Sequence, residues 1–170
     1  MARVLGIDPG THVAGYGVLD TKDDGSAHAF VECGVVRLKR DDPLELRLLR
    51  LREGLLEIVG RLSPDAIAIE SPFVGRNVKA AFSVGEARGV ALVIAAERGI
   101  PVRQYAPAQV KSTVAGHGRA SKQDVDRLLR MQVTMPENKV PADATDALAV
   151  AMCDAVQSSS LQTQTANLLR

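Results

Sequence analysis

The sequence predicts an α/β fold in which a mixed five-stranded sheet is flanked by helices. Two observations lead there. The first is three strand-like runs at the start of the chain with only short turns between them. The second is a short apolar run, Ala66–Ile69, and a further short strand, Val102–Tyr105, separated from each other and from their neighbours by stretches of helical periodicity. A meander joins antiparallel neighbours, whereas strands linked through helices pair in parallel, and the two together make a mixed sheet. Of the 170 residues 46% are hydrophobic, enough for one full core, but only 3% are aromatic, so that core must be Leu, Val, Ile and Ala.

The elements follow in order. Residues 3–7 form an apolar run stopped by Asp8-Pro9-Gly10, a buried strand and its turn. Residues 13–19 give a second strand, Asp23-Asp24-Gly25-Ser26 a turn, and residues 27–38 a third strand. Asp42 is expected to cap a helix with Pro43 at its first position. Leu44, Leu48, Leu51, Leu55, Ile58 and Leu62 then recur at helical spacing until Ser63-Pro64. The strand at residues 66–69 ends on Glu70, and residues 71–77 form a loop. A long helix over residues 78–98 has Gly99 as its C-terminal cap. After the fifth strand, a short helix near residues 108–115 is broken by Gly116-His117-Gly118. Ser121-Lys122-Gln123-Asp124 reads as a capping box, with Asp in the place of Glu, and opens another helix. The last helix is expected over residues 142–156. Residues 1–157 then form one domain and residues 158–170 a flexible polar tail.

Composition narrows the function classes. Cys33 and Cys153 have no motif around them and read as reduced thiols. No apolar run reaches the ~18 residues of a membrane span, and no charged-then-apolar leader opens the sequence, so a soluble cytoplasmic protein is expected. The net charge of +1 hides an asymmetry. Between Arg76 and Arg130 lie ten Lys/Arg and four Asp/Glu, while the remainder is acidic. A basic middle suits a polyanion held on one face.

Four acids carry the chemistry. Asp8 and Glu70 end apolar strands, and Asp143 and Asp146 share one face near the start of a helix. Singly, each has an ordinary reading: a turn residue, a solvated strand end, or acids favoured by a helix N-terminus. What these do not explain is two strands with the same ending and a third acidic cluster where a terminal helix could pack beside them. Carboxylates gathered in one place resist ionising unless a cation joins them, and hard divalent ions, magnesium above all, take oxygen ligands of this kind. A histidine–cysteine cluster, which zinc would prefer, is missing from the sequence.

These residues also carry a resemblance. Leu5-Gly6-Ile7-Asp8-Pro9-Gly10-Thr11 with Gly15-Tyr16-Gly17-Val18 resembles the opening of the RuvC family of bacterial Holliday-junction resolvases. So do Ala68-Ile69-Glu70, Gly85-Glu86-Ala87-Arg88-Gly89, Gln109-Val110-Lys111 with Gly116 and Gly118, and Asp143-Ala144-Thr145-Asp146-Ala147-Leu148-Ala149, collinear from residue 4 to about 153. The resemblance implies a ribonuclease-H-like fold and a homodimeric endonuclease. Such an enzyme makes two symmetric nicks in a four-way junction, in DNA recombination and repair, beside the RuvA–RuvB branch-migration complex. It implies that Asp8, Glu70, Asp143 and Asp146 are the catalytic metal ligands for two Mg2+ ions, with Mn2+ able to substitute, and that Asp8 bridges both. It also implies that Lys111 and Lys122 lie near the scissile phosphate, where solvated surface lysines are the alternative. Two positions depart from the family's pattern. His12 stands where small or basic residues are common, and Cys153-Asp154 where histidine often stands; Asp154 lies too far along the helix from Asp143 to be a ligand.

Phe73, one of five aromatics, lies in the polar loop three residues after Glu70. It could stack on a base unpaired at the crossover, a role the family gives to a phenylalanine here, or anchor the loop to the sheet. Arg76, Lys79, Arg119 and Arg127 are candidates for phosphate contacts. Ala81, Gly85 and Gly89 make a smooth helical stripe that packs either on the protein's own sheet or on a second copy. Two rival functions share the same motifs: a non-cleaving ribonuclease-H-like binding module, and an actin- or sugar-kinase-like phosphotransferase. The latter needs two such domains around a nucleotide.

Overall fold

Strand alternation sets the layers of this computed structural model, which describes residues 1–22, 27–71, 78–136 and 140–168. Strand β1 (Ala2–Asp8) pairs antiparallel with β2 (Val13–Thr21), which pairs antiparallel with β3 (His28–Arg37). Helix α1 (Leu44–Leu62) leads to β4 (Ala66–Glu70), parallel to β1. Helix α2 (Val78–Arg98) leads to β5 (Val102–Tyr105), parallel to β4. The five-stranded sheet therefore has the order β3-β2-β1-β4-β5, with α3 (Pro107–Ala115), α4 (Lys122–Gln132) and α5 (Ala142–Leu168) following.

Side chains of a strand point alternately to its two faces. Leu5, Ile7, Ile67 and Ile69 bury into one core with Leu51 and Leu55 of α1 and Ala87, Ala91 and Ile94 of α2. Val4 and Ala68 face the other core with Leu148 and Met152 of α5, Val110 of α3 and Leu129 of α4. Each large aliphatic side chain removed from water contributes about 1.5–3 kcal/mol. Asp8 and Glu70 have the parity of Val4 and Ala68, so alternation aims both at the α5 face.

Helix α5 is buried on all sides from Ala147 to Ala155, between the sheet and the smaller helices. Glycines set how close it comes. A Cβ at Gly6 would stand 2.1 Å from the carbonyl oxygen of Ala147, and one at Gly15 would stand 1.9 Å from that of Asp143. The backbone of β1 and β2 thus forms a notch into which α5 drops, and a side chain at either glycine would push the helix out.

Most helix ends follow the sequence. Ser121 and Asp124 make the expected reciprocal capping box, and Gly99 adopts a positive φ of 64°. Two expectations need correction, and one left open is narrowed. Pro43, not Asp42, is the N-cap of α1; Asp42 instead pairs with Arg50 at 3.0 Å. Helix α5 does not stop near Val156 but runs to Leu168, because residues 157–168 contain no glycine or proline to end it. Gly85 and Gly89 of the small-residue stripe of α2 do not meet the sheet: Ala87, Ala91, Ile94 and Ala95 do, while a Cβ at Gly85 or Gly89 would have nothing within 4 Å among the described residues. No helix among the described residues is long and apolar enough to cross a membrane.

Candidate active site

Three elements converge at one end of the sheet. Asp8 closes β1 and Glu70 closes the neighbouring parallel strand β4. Asp146 projects from the first turns of α5, which the glycine notch holds against the sheet. These three acids line one cleft of about 280 Å³ with Lys111 of α3 and Lys122 of α4; its apolar wall is Pro107, Val110, Val125, Ala149 and Val150. Asp143, one turn before Asp146, adds to the negative field at Asp8 without lining the cleft.

The electrostatics are those of carboxylates crowded together. Burial, then the charges of Asp146, Glu70 and Asp143, push the Asp8 carboxyl up to about 7, with Lys122 pulling the other way. Burial and Asp146 likewise raise Glu70, against the pull of Lys122 and Lys111. The Lys122 ammonium donates to Asp146 Oδ2, and this bond, more than any other influence, raises the lysine's own pKa. A chain that crowds carboxylates at the mouth of its core stores repulsion that a bound cation would relieve.

The donor set suits a hard divalent ion, since every acid offers oxygen. It is not a finished cage. Among the described residues no group of three acids stands ready to ligate one ion, and the Lys122 ammonium supplies the positive charge beside Asp146.

Of the remaining sequence candidates, Arg119 is exposed in the connection before α4, and Arg127 is exposed and pairs with Asp124 on its own helix at 3.7 Å. Phe73, Arg76 and the side chain of Lys79 lie outside the described residues.

Sequence reasoning missed two supports. Arg47 of α1 donates to the Thr11 carbonyl oxygen at 3.0 Å and lies 2.9 Å from Nδ1 of His12, pinning the turn that follows Asp8. Asp154 is fully buried and accepts a hydrogen bond from the Tyr105 hydroxyl at 2.7 Å. An acid inside an otherwise apolar helical run, Ala147–Ala155, was the available signal for the second.

The sheet order and the strand-borne acids facing a helix-borne one define a nuclease of the ribonuclease-H-like class. Comparison with known proteins narrows this. The family model for crossover junction endodeoxyribonuclease RuvC matches residues 4–154. The chain is 43% identical to that enzyme of Desulforamulus reducens, over 92% of this chain and 95% of the relative. It is 44% identical to that of Chloroflexus aggregans, over 94% and 96%. A solved structure of T. thermophilus RuvC in complex with a Holliday junction substrate superposes with a TM-score of 0.86 at 36% identity, covering 94% of this chain and 96% of that one. The chain belongs to the RuvC family and is a crossover junction endodeoxyribonuclease.

Proposed function

We propose that the acidic cleft is the catalytic centre of a magnesium-dependent enzyme that cuts four-way junction DNA, with Asp8, Glu70, Asp143 and Asp146 holding two ions and Mn2+ able to replace Mg2+. The observation that carries the reading is the convergence on one cleft of Asp8, Glu70 and Asp146 with Lys111 and Lys122. Divalent ions bound there supply charge neutralisation at the scissile phosphate and favour ionisation of the attacking water.

The chain's own residues do the rest. Asp8, at the junction of strand and turn, feels the charges of Asp146, Glu70 and Asp143 and would be the acid shared by both ions. Lys111 and Lys122 face the phosphate and offset the negative charge that builds on its oxygens during displacement. For Lys122 this requires leaving Asp146, an exchange made easy by its exposure on α4. The apolar wall of Val110, Val125, Ala149 and Val150 limits water on the buried side. Arg76, Lys79, Arg119 and Arg127 would take backbone phosphates, and Phe73 would stack on a base exposed at the crossover.

A two-fold junction calls for two identical active sites. The outward stripe of α2, with Phe82 70% exposed and Val78 and Val93 more than half exposed, continues onto Leu49 of α1 through a shallow groove that includes Gly89 and Val90. This face suits a second copy of the chain. The reading includes a cytoplasmic enzyme acting beside RuvA and RuvB, with residues 1–157 as the nuclease domain and residues 158–170 as an appendage to it.

The deciding experiment incubates the protein with an end-labelled four-way junction, with and without magnesium. Paired, symmetric cuts leaving 5′ phosphates that ligase can seal are expected only with metal. Cutting in excess chelator would refute the metal reading, and binding without cutting would favour the non-cleaving module.

A further inference from the structure

The acids of the proposed metal site come from separate elements, so something must fix the distance between them. The glycine notch fixes how near α5 comes to the sheet. It does not by itself fix where the helix sits along the sheet, because alanine recurs along the buried part of α5, at 144, 147, 149, 151 and 155. Tyr105, the last residue of β5, touches both sides of this problem. It lies directly beside Glu70 in the parallel register of β4 and β5, and its carbonyl oxygen accepts the Ser71 N–H at 2.7 Å. Its hydroxyl donates to Asp154 Oδ1 of α5 at 2.7 Å, and Arg103 Nε approaches the same oxygen at 3.3 Å. Tyr105 is 7% exposed and Asp154 not at all.

A buried carboxylate is costly where an apolar side chain would pack well. Here Asp154 Oδ2 has no hydrogen-bond partner among the described residues, and burial holds the carboxyl above its ordinary value against the pull of Tyr105 and Arg103. Such a group adds little stability, but it does specify register: a shift of α5 by one turn, ~5.4 Å, would strand it among apolar neighbours. Asp146 lies on the same rigid helix, eight residues before Asp154.

We propose that Tyr105 is a positioning residue, tied through Ser71 to the Glu70 strand end and through Asp154 to α5, and that this tie sets the Glu70–Asp146 separation at which the two carboxylates take up divalent ions. The proposal rests on the metal-site reading above. It is tested by titrating Mg2+ calorimetrically into wild type, Tyr105→Phe and Asp154→Asn, together with melting temperatures and junction affinity in chelator. Tyr105→Phe breaks the tie to the helix and should weaken magnesium binding by roughly 3- to 10-fold, below the ~10–100-fold typical when a group bonded directly to a metal ligand is lost. Its junction affinity in chelator should stay at the wild-type level. Asp154→Asn keeps an oxygen that accepts from the phenol and should bind magnesium as wild type does. Unchanged magnesium affinity in Tyr105→Phe, even with a lowered melting temperature, overturns the proposal, as does an Asp154→Asn protein that binds metal as weakly as Tyr105→Phe. A wild-type protein that takes up no magnesium would refute the underlying metal site, and the proposal with it.

Discussion

Replacing Asp8 by asparagine should make the metal-free protein more stable while destroying its activity. The Asp8 carboxyl is raised from 3.8 to about 7 in the fold. The native state therefore keeps this proton to higher pH than the unfolded chain does, and stability falls as pH rises through that interval. At one pKa unit per ~1.4 kcal/mol, full linkage gives a cost of ~1.5 kcal/mol at pH 5 and ~4 kcal/mol at pH 8. Partial solvent access at Asp8 reduces these to about 1 and about 2 kcal/mol. Asparagine mimics the protonated acid and removes that cost. For a chain of this size ~1 kcal/mol corresponds to ~2–4 °C. In chelator the variant should thus melt ~4–8 °C above wild type at pH 8 and about half as far above it at pH 5. Added magnesium should narrow or reverse the order, because an ion at ten times its dissociation constant stabilises the wild type by ~1.4 kcal/mol and the variant has lost a ligand. Junction affinity in chelator should survive. Thermal melts at the two pH values, with chelator and with magnesium, and a cleavage assay test all of this. Equal melting temperatures at pH 8 in chelator, or near wild-type cleavage by the variant, would refute the reasoning.

Other outcomes follow from the same structure. Calcium should support junction binding without cleavage, because its longer and looser coordination does not align the reacting oxygens; a gel assay comparing calcium with magnesium and manganese checks this. Gly15→Ala should cost ~3 kcal/mol or more, since its Cβ would collide with the backbone of Asp143. Urea unfolding should show that loss together with reduced cleavage. Phe73→Ala should impair junction cleavage more than plain-duplex binding at one fixed salt concentration, whereas equal loss on both with a lower melting temperature would make Phe73 a loop anchor.

The sequence made the strands and their order along the chain legible, because strand alternation and helical spacing are local signals. Asp8 and Glu70 stood out as acids ending apolar runs, and the structure brings them to one cleft with Asp146. What was not legible depends on contacts distant in sequence. Gly15 reads locally as a weak strand former, and only the docked α5 explains it. The outward stripe of Gly85 and Gly89 had the same spacing as a sheet-packing stripe, so periodicity alone could not say which face of α2 was which. Asp154 looked like one more acid on the last helix until Tyr105 arrived from β5. Helix α5 outruns its expected end because polar composition is not a stop signal, and residues 157–168 include no helix breaker.

The glycine notch has a consequence for when the nuclease becomes dangerous. Asp8 lies on the first strand and Asp146 on the last helix, and the notch is made on β1 and β2 long before the helix that fills it has been synthesised. A nascent chain can complete its sheet and its first two helices and still hold only half of its acids. Until α5 seats, the partial molecule holds only Asp8 and Glu70 of the acids that the proposed metal site needs. If the cleft is the cutting site, activity would arise only once α5 has docked into the notch.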